Sequence, residues 1–204
     1  MTESRVLTLE STSVDRAGRN LSVHSIGRFE AVIDEDTARF LTEFIHLLLL
    51  PGEHALLGLC PLYEDEWNTI TTAGWITLAK RPEKQVGQPK RPSWVVGHAY
   101  QREKFTEVFR YGWNVNINEP FIVAIAPTTD NGTFLAESED RGEIYPEHEE
   151  ILLKVYPTVV SRYYDGLWMT LLSTRVDSDQ VFEFLHRAAD STIPATIQRK
   201  SKQM

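Results

Sequence analysis

One cysteine, Cys60, occurs in 204 residues, so no intrachain disulfide can form and no cysteine cluster can hold a metal. Its setting, "LLGLCPL", is apolar, which raises a thiol pKa and keeps the group unreactive. No apolar run approaches the ~20 residues needed to cross a bilayer. The opening "MTESRVLTLE" has neither the basic start nor the apolar centre of a signal peptide, so a cytoplasmic, reducing setting away from membranes is expected. Neither G-x-x-x-x-G-K-[ST] nor G-x-G-x-x-G occurs, which argues against ATPases, kinases and dinucleotide enzymes. G-x-S-x-G and HExxH are missing as well, so the chain has no serine-hydrolase elbow and no zincin helix. No cofactor and no metal are expected.

What remains is an ordinary globular inventory. Hydrophobic residues make up 42% and charged residues 25%, enough to build a core. The formal net charge of -8 gives an acidic surface that repels phosphate backbones at long range.

Periodicity suggests the elements. In "DEDTARFLTEFIHLLLLPG", Leu41, Phe44, Ile45 and Leu48 fall at helical spacing, with Asp34 or Asp36 as cap and Pro51-Gly52 as stop. "REKFTEVFRYG" predicts a helix ended by Gly112. "DSDQVFEFLHRAAD" predicts a third, with Asp177 and Gln180 at capping-box spacing. "NLSVHSIG", "HALLGLCP", "NTITT", "WITLAK" and "SWVVGHAY" read as strands, with Gly27 as a bend or bulge. Asn131-Gly132 and Asp165-Gly166 lie between apolar segments and predict two hairpins, although Tyr163, Tyr164, Trp168 and Met169 also suit a helix. Strands and helices do not alternate regularly. The expectation is an α+β fold: a mainly antiparallel sheet with hairpins and about three helices in a single domain over 19–190. Residues 1–18 are expected to be a flexible segment and 191–204 a basic tail.

The most distinctive stretch is "KRPEKQVGQPKRPSW". Lys80, Arg81, Lys84, Lys90 and Arg91 stand beside one acid, Glu83, in an acidic chain. Pro82, Pro89 and Pro92 pre-extend the backbone and lower the entropy cost of ordering it on a partner. Trp94 closes the stretch, and arginine beside tryptophan suits an interface. Charge runs are usually solvated loops, and a hairpin loop that keeps the protein soluble is the plain alternative. Such a surface could also grip a nucleotide or single-stranded nucleic acid.

Among the histidines, His46 and His186 read as helix residues with packing or dipole roles. His24 and His98 sit on strand patterns, in "VHSI" and "GHAY". With Tyr100 they could act as acid and base on a phosphodiester. The position two after His24 is Ile26, which cannot hold a phosphate. In "YPEHEE", Glu147, His148, Glu149 and Glu150 point in divergent directions in either regular structure, so they suit a solvated turn rather than an ion site.

Three functions are consistent with this reading. The first is a non-catalytic binding or regulatory protein acting through protein–protein contacts, with Lys80, Arg81, Lys84, Lys90, Arg91 and Trp94 as the binding residues. The second is a phosphodiester- or nucleotide-directed hydrolase using His24, His98 and Tyr100. The third is a self-assembling structural protein, a homo-oligomer whose basic loop docks on acidic neighbours.

Overall fold

The computed structural model describes residues 5–16, 19–30, 32–59, 76–80, 94–97, 102–115, 121–135, 152–162 and 168–200. In chain order the elements are β1 (Arg5–Arg16), β2 (Arg19–Gly27), α1 (Glu35–Leu47), β3 (Glu53–Leu59), β4 (Ile76–Lys80), β5 (Trp94–Gly97), α2 (Arg102–Val115), β6 (Phe121–Pro127), β7 (Thr158–Arg162), β8 (Trp168–Ser173), α3 (Ser178–Ser191) and β9 (Ala195–Lys200). The described strands form one nine-stranded sheet in the order β4-β5-β3-β6-β7-β8-β2-β1-β9. Every pairing is antiparallel except β1 with β9. The fold is the expected α+β domain.

The three helices share one face of the sheet. Phe40, Leu41, Phe44 and Ile45 of α1, Phe105, Phe109 and Trp113 of α2, and Val181, Leu185 and Ala188 of α3 pack on Leu7, Leu9, Ile26, Val123, Ile125 and Leu171. On the opposite face Leu135, Leu152 and Tyr156 cover Leu21, Leu56, Ile122, Ala124 and Leu172. Period-two alternation sends successive residues of β6 to opposite faces, and both faces are covered. Its sequence "FIVAIA" is therefore apolar at every position and buried throughout.

Local chemistry fixes the helix ends. The Asp34 carboxylate accepts the Thr37 amide at 2.8 Å to start α1. The Asp177 carboxylate accepts from the amides of Asp179 and Gln180, while the Gln180 side chain accepts the Asp177 amide at 3.0 Å, completing the predicted capping box of α3. Gly112 does not end the second helix, which continues to Val115. Burying Trp113 completely outweighs the ~1 kcal/mol cost of an interior glycine. Asn114 then ties the helix end to Ile33, accepting its amide and donating to its carbonyl.

Three further expectations are corrected. Residues 5–16 are not a loose segment but β1: Leu7 and Leu9 alternate inward and are almost fully buried. Residues 195–200 are not tail but β9, anchored by Ile193 and Ile197 in the same core. Asn131-Gly132 does not turn a hairpin, because β6 pairs with β7 and no strand follows at 133. The Asn131 side chain instead accepts the Thr133 amide and hydroxyl, an Asx turn that opens a helical turn at 133–135. Around Asp165-Gly166 the flanking strands do pair as a hairpin, Arg162 opposite Met169, which places Trp168 and Met169 in a strand. The turn itself lies outside the described residues, as do "NTITT" and "YPEHEE".

Candidate functional site

The cationic stretch is located by its two ends. Lys80 is the last residue of β4, Trp94 is the first of β5, and the two are paired in register. The described residues on either side of 81–93 therefore lie next to each other in the sheet. Among the described residues β4 is an outer strand of the sheet, so this pair lies at its margin. Arg81, Lys84, Lys90 and Arg91 lie outside the described residues.

The paired-histidine arrangement fares differently. His24 lies on β2 and is 1% exposed. His98 and Tyr100 lie outside the described residues, but Gly97, the residue before His98, ends β5. The sheet order puts five strand spacings between β5 and β2, about 24 Å at ~4.8 Å each. The structure does not bring the two strands together around one cleft.

His24 belongs to a different cluster, one that the linear sequence does not announce. It sits opposite Ser11 in the β1–β2 register, and its Nδ1 is 2.8 Å from the Ser11 hydroxyl. Ser178, the first residue of α3, donates its hydroxyl to Ser11 at 3.0 Å. Burial holds the imidazole pKa below its ordinary value; the Val176 carbonyl and the Asp177 carboxylate favour the proton but do not overcome it. Nε2 is buried without a hydrogen bond of normal geometry. A neutral, enclosed ring of this kind cannot reach a substrate.

On the other face, His54 and Tyr156 are buried close to the half-exposed Asp130. Burial lowers the His54 pKa, and the Asp130 charge acts against that. Burial and then Asp130 push the Tyr156 phenol upward. Asp130 itself is fixed by the Gly132 amide at 2.7 Å. At neutral pH both buried groups stay uncharged, so this cluster supports packing.

Among the described residues an open groove of about 410 Å3 runs between α1 and α2. Thr42 and Thr106 form its floor, hydroxyl to hydroxyl at 2.9 Å. Glu35, Arg39, Glu107 and Arg110 form its walls, and Glu35 is ion-paired with both arginines. With Glu43 also lining it, the groove carries three acids and two bases, a net of one negative charge, which leaves little net field to select a ligand.

Among the described residues no three His, Cys, Asp or Glu side chains gather as a metal site. No described helix is long and apolar enough to cross a membrane. No protein-family profile, no curated protein and no solved structure matches this chain.

Proposed function

We propose that the chain is a non-catalytic, cytoplasmic binding protein that docks an acidic protein surface on the cationic segment between β4 and β5. The observation that carries this reading is the pairing of Lys80 with Trp94. It gathers both ends of a proline-rich, arginine- and lysine-bearing segment at the margin of the sheet, on a chain whose overall net charge is -8. Complementary charge speeds encounter and selects partners more than it adds raw affinity, so a recognition role fits. The burial of His24 and the sheet distance to β5 count against the hydrolase reading.

Fluorescence anisotropy tests the proposal. A labelled oligo-glutamate peptide and a labelled oligo-dT strand are each titrated with the full chain at low and at physiological salt. Preferential capture of the peptide is expected, with a loss of at least about tenfold in the double variant Lys84→Glu, Arg91→Glu and no change in circular dichroism. Preference for the oligonucleotide would move the segment to nucleic-acid binding. Indifference of both probes to the double variant would remove it from function.

A further inference from the structure

We propose that Asn131 is a self-modification site, at which the chain converts its own asparagine to isoaspartate, and that the Asp130 carboxylate is the gate that holds this reaction off in the folded protein. Asn131-Gly132 is the one Asn-Gly step in the sequence. Glycine has no side chain to shield its amide nitrogen, so an asparagine before it is the most open to attack from its own backbone.

The reaction needs only water. The Gly132 nitrogen loses its proton and attacks Cγ of Asn131. A nitrogen–carbon bond forms, the Cγ–Nδ2 bond breaks, and ammonia leaves with the proton. Water then opens the cyclic imide. Opening at the old backbone carbonyl leaves isoaspartate, and opening at the old side-chain carbonyl leaves aspartate.

The two reacting groups are in opposite states. The electrophile is accessible and polarised. Asn131 is exposed, and its side-chain oxygen accepts the Thr133 amide at 3.1 Å and the Thr133 hydroxyl at 2.6 Å. Donors on that oxygen stabilise the negative charge it gains when Cγ is attacked. The nucleophile is withheld. Gly132 is buried, and its amide donates to Oδ1 of Asp130 at 2.7 Å. An amide proton leaves along its N–H bond, so the electron pair left behind points at the Asp130 oxygen rather than at Cγ. A carboxylate in that place also opposes a second negative charge, which makes the amide anion harder to form.

Asp130 is held in position. Its own amide donates to the Pro127 carbonyl at 2.9 Å, and the Thr128 amide donates to the Gly52 carbonyl at 2.9 Å, just before β3. His54 and Tyr156 lie buried beside its carboxylate. The Gly132 amide is therefore freed only when the turn at 130–133 leaves its seat. Modification of the native protein then tracks the time this turn spends open. The change runs one way. In isoaspartate the oxygen that held Thr133 becomes a main-chain carbonyl, the chain is longer by one carbon, and a new carboxylate stands next to Asp130. Leu135, which covers the sheet, follows directly on this turn.

The full chain, folded and in urea, is incubated in mildly alkaline buffer. Mass spectrometry follows the peptide that carries Asn131, with fragmentation to locate the change and to separate isoaspartate from aspartate. Deamidation of Asn131 is expected to be at least about tenfold slower in the folded chain than in the unfolded one. Asp130→Ala should speed the folded chain at least about tenfold, with unchanged circular dichroism. Thr133→Val removes a bond of the same turn but leaves the Gly132 amide held, and it should stay as slow as the unaltered chain. The proposal is overturned if folded and unfolded chains react at one rate, or if Asp130→Ala changes nothing. It is overturned equally if Thr133→Val speeds the reaction as much as Asp130→Ala, which would make general loosening the cause. Should Asp130→Ala not fold, the unaltered chain decides. Its deamidation rate and the hydrogen exchange of the Gly132 amide must then rise together across low urea concentrations, and a rate indifferent to that exchange overturns the gate.

Discussion

The Arg162 guanidinium donates to the backbone carbonyl of Trp113 and lies over that tryptophan's ring, 4.6 Å from its centroid. Arg162 is on β7 and only 1% exposed; Trp113 is in the last turn of α2 and fully buried. The pair therefore fastens the C-terminal end of a helix to the centre of the sheet. That carbonyl belongs to the negative end of the helix dipole, where a cation is favoured.

Replacing Arg162 tests how much this contact holds. Arg162→Met leaves the carbonyl without its donor, and about 3 kcal/mol of stability should be lost. Arg162→Lys should not rescue it, because an ammonium cannot stack on the indole and donate from a planar fork at once. Urea denaturation midpoints with unchanged m-values give the answer. A loss below about 1 kcal/mol in both variants would show that the contact is not a stabilising one.

Gly27 faces Trp168 across the β2–β8 register, and a Cβ at residue 27 would fall 2.5 Å from the indole ring. Gly27→Ala is expected to cost about 1–3 kcal/mol by overpacking. Trp168→Leu should make room, so the double variant should be less damaged than the sum of the singles. Additive losses would place the cost in the backbone rather than in the ring contact.

Asp177 accepts two amides of the first turn of α3. Asp177→Ala should lower stability by about 1 kcal/mol, and Asp177→Asn by much less, since both side-chain oxygens cap equally well. Thermal denaturation at neutral pH distinguishes them. Equal losses would mean that charge, not capping geometry, is what counts there.

Burial holds the pKa of both His24 and His54 below the ordinary value. The unfolded chain therefore binds protons more readily than the native one. Stability is fully present above about pH 6.5 and is lost as pH falls through that value toward the folded pKa. His24→Gln and His54→Gln should each flatten this acid limb, measured as urea midpoints across the range. An acid limb of unchanged slope in the double variant would assign it to carboxylates instead.

Much of the helical layer could be read in the chain. Asp34 and Asp177 precede apolar stripes at helical spacing, and capping is a contact over three residues, local enough to be visible in sequence. Gly112 misled because a local preference worth ~1 kcal/mol competes with the burial of a whole indole next to it. Asn131-Gly132 misled because the same dipeptide serves an Asx turn into a helix as well as a hairpin. At the candidate sites, the cationic stretch was visible as composition, and the strand patterns on either side marked where it joins the sheet. The cluster of Ser11, His24 and Ser178 was not visible, since ordinary serines far apart in the chain carry no signal until a sheet register and a helix start bring them together.

Read without coordinates, the residues mark where helices begin, where several strand patterns lie, and that the cations cluster in one proline-rich stretch. All of these follow from interactions between near neighbours. Long-range packing is what sets the two ends of the described chain side by side as β1 and β9, keeps His24 and β5 far apart, and buries Arg162 beneath a helix end. Strand order, register and burial are set by contacts between distant segments, and their free energy depends on the whole packed core rather than on any stretch read alone.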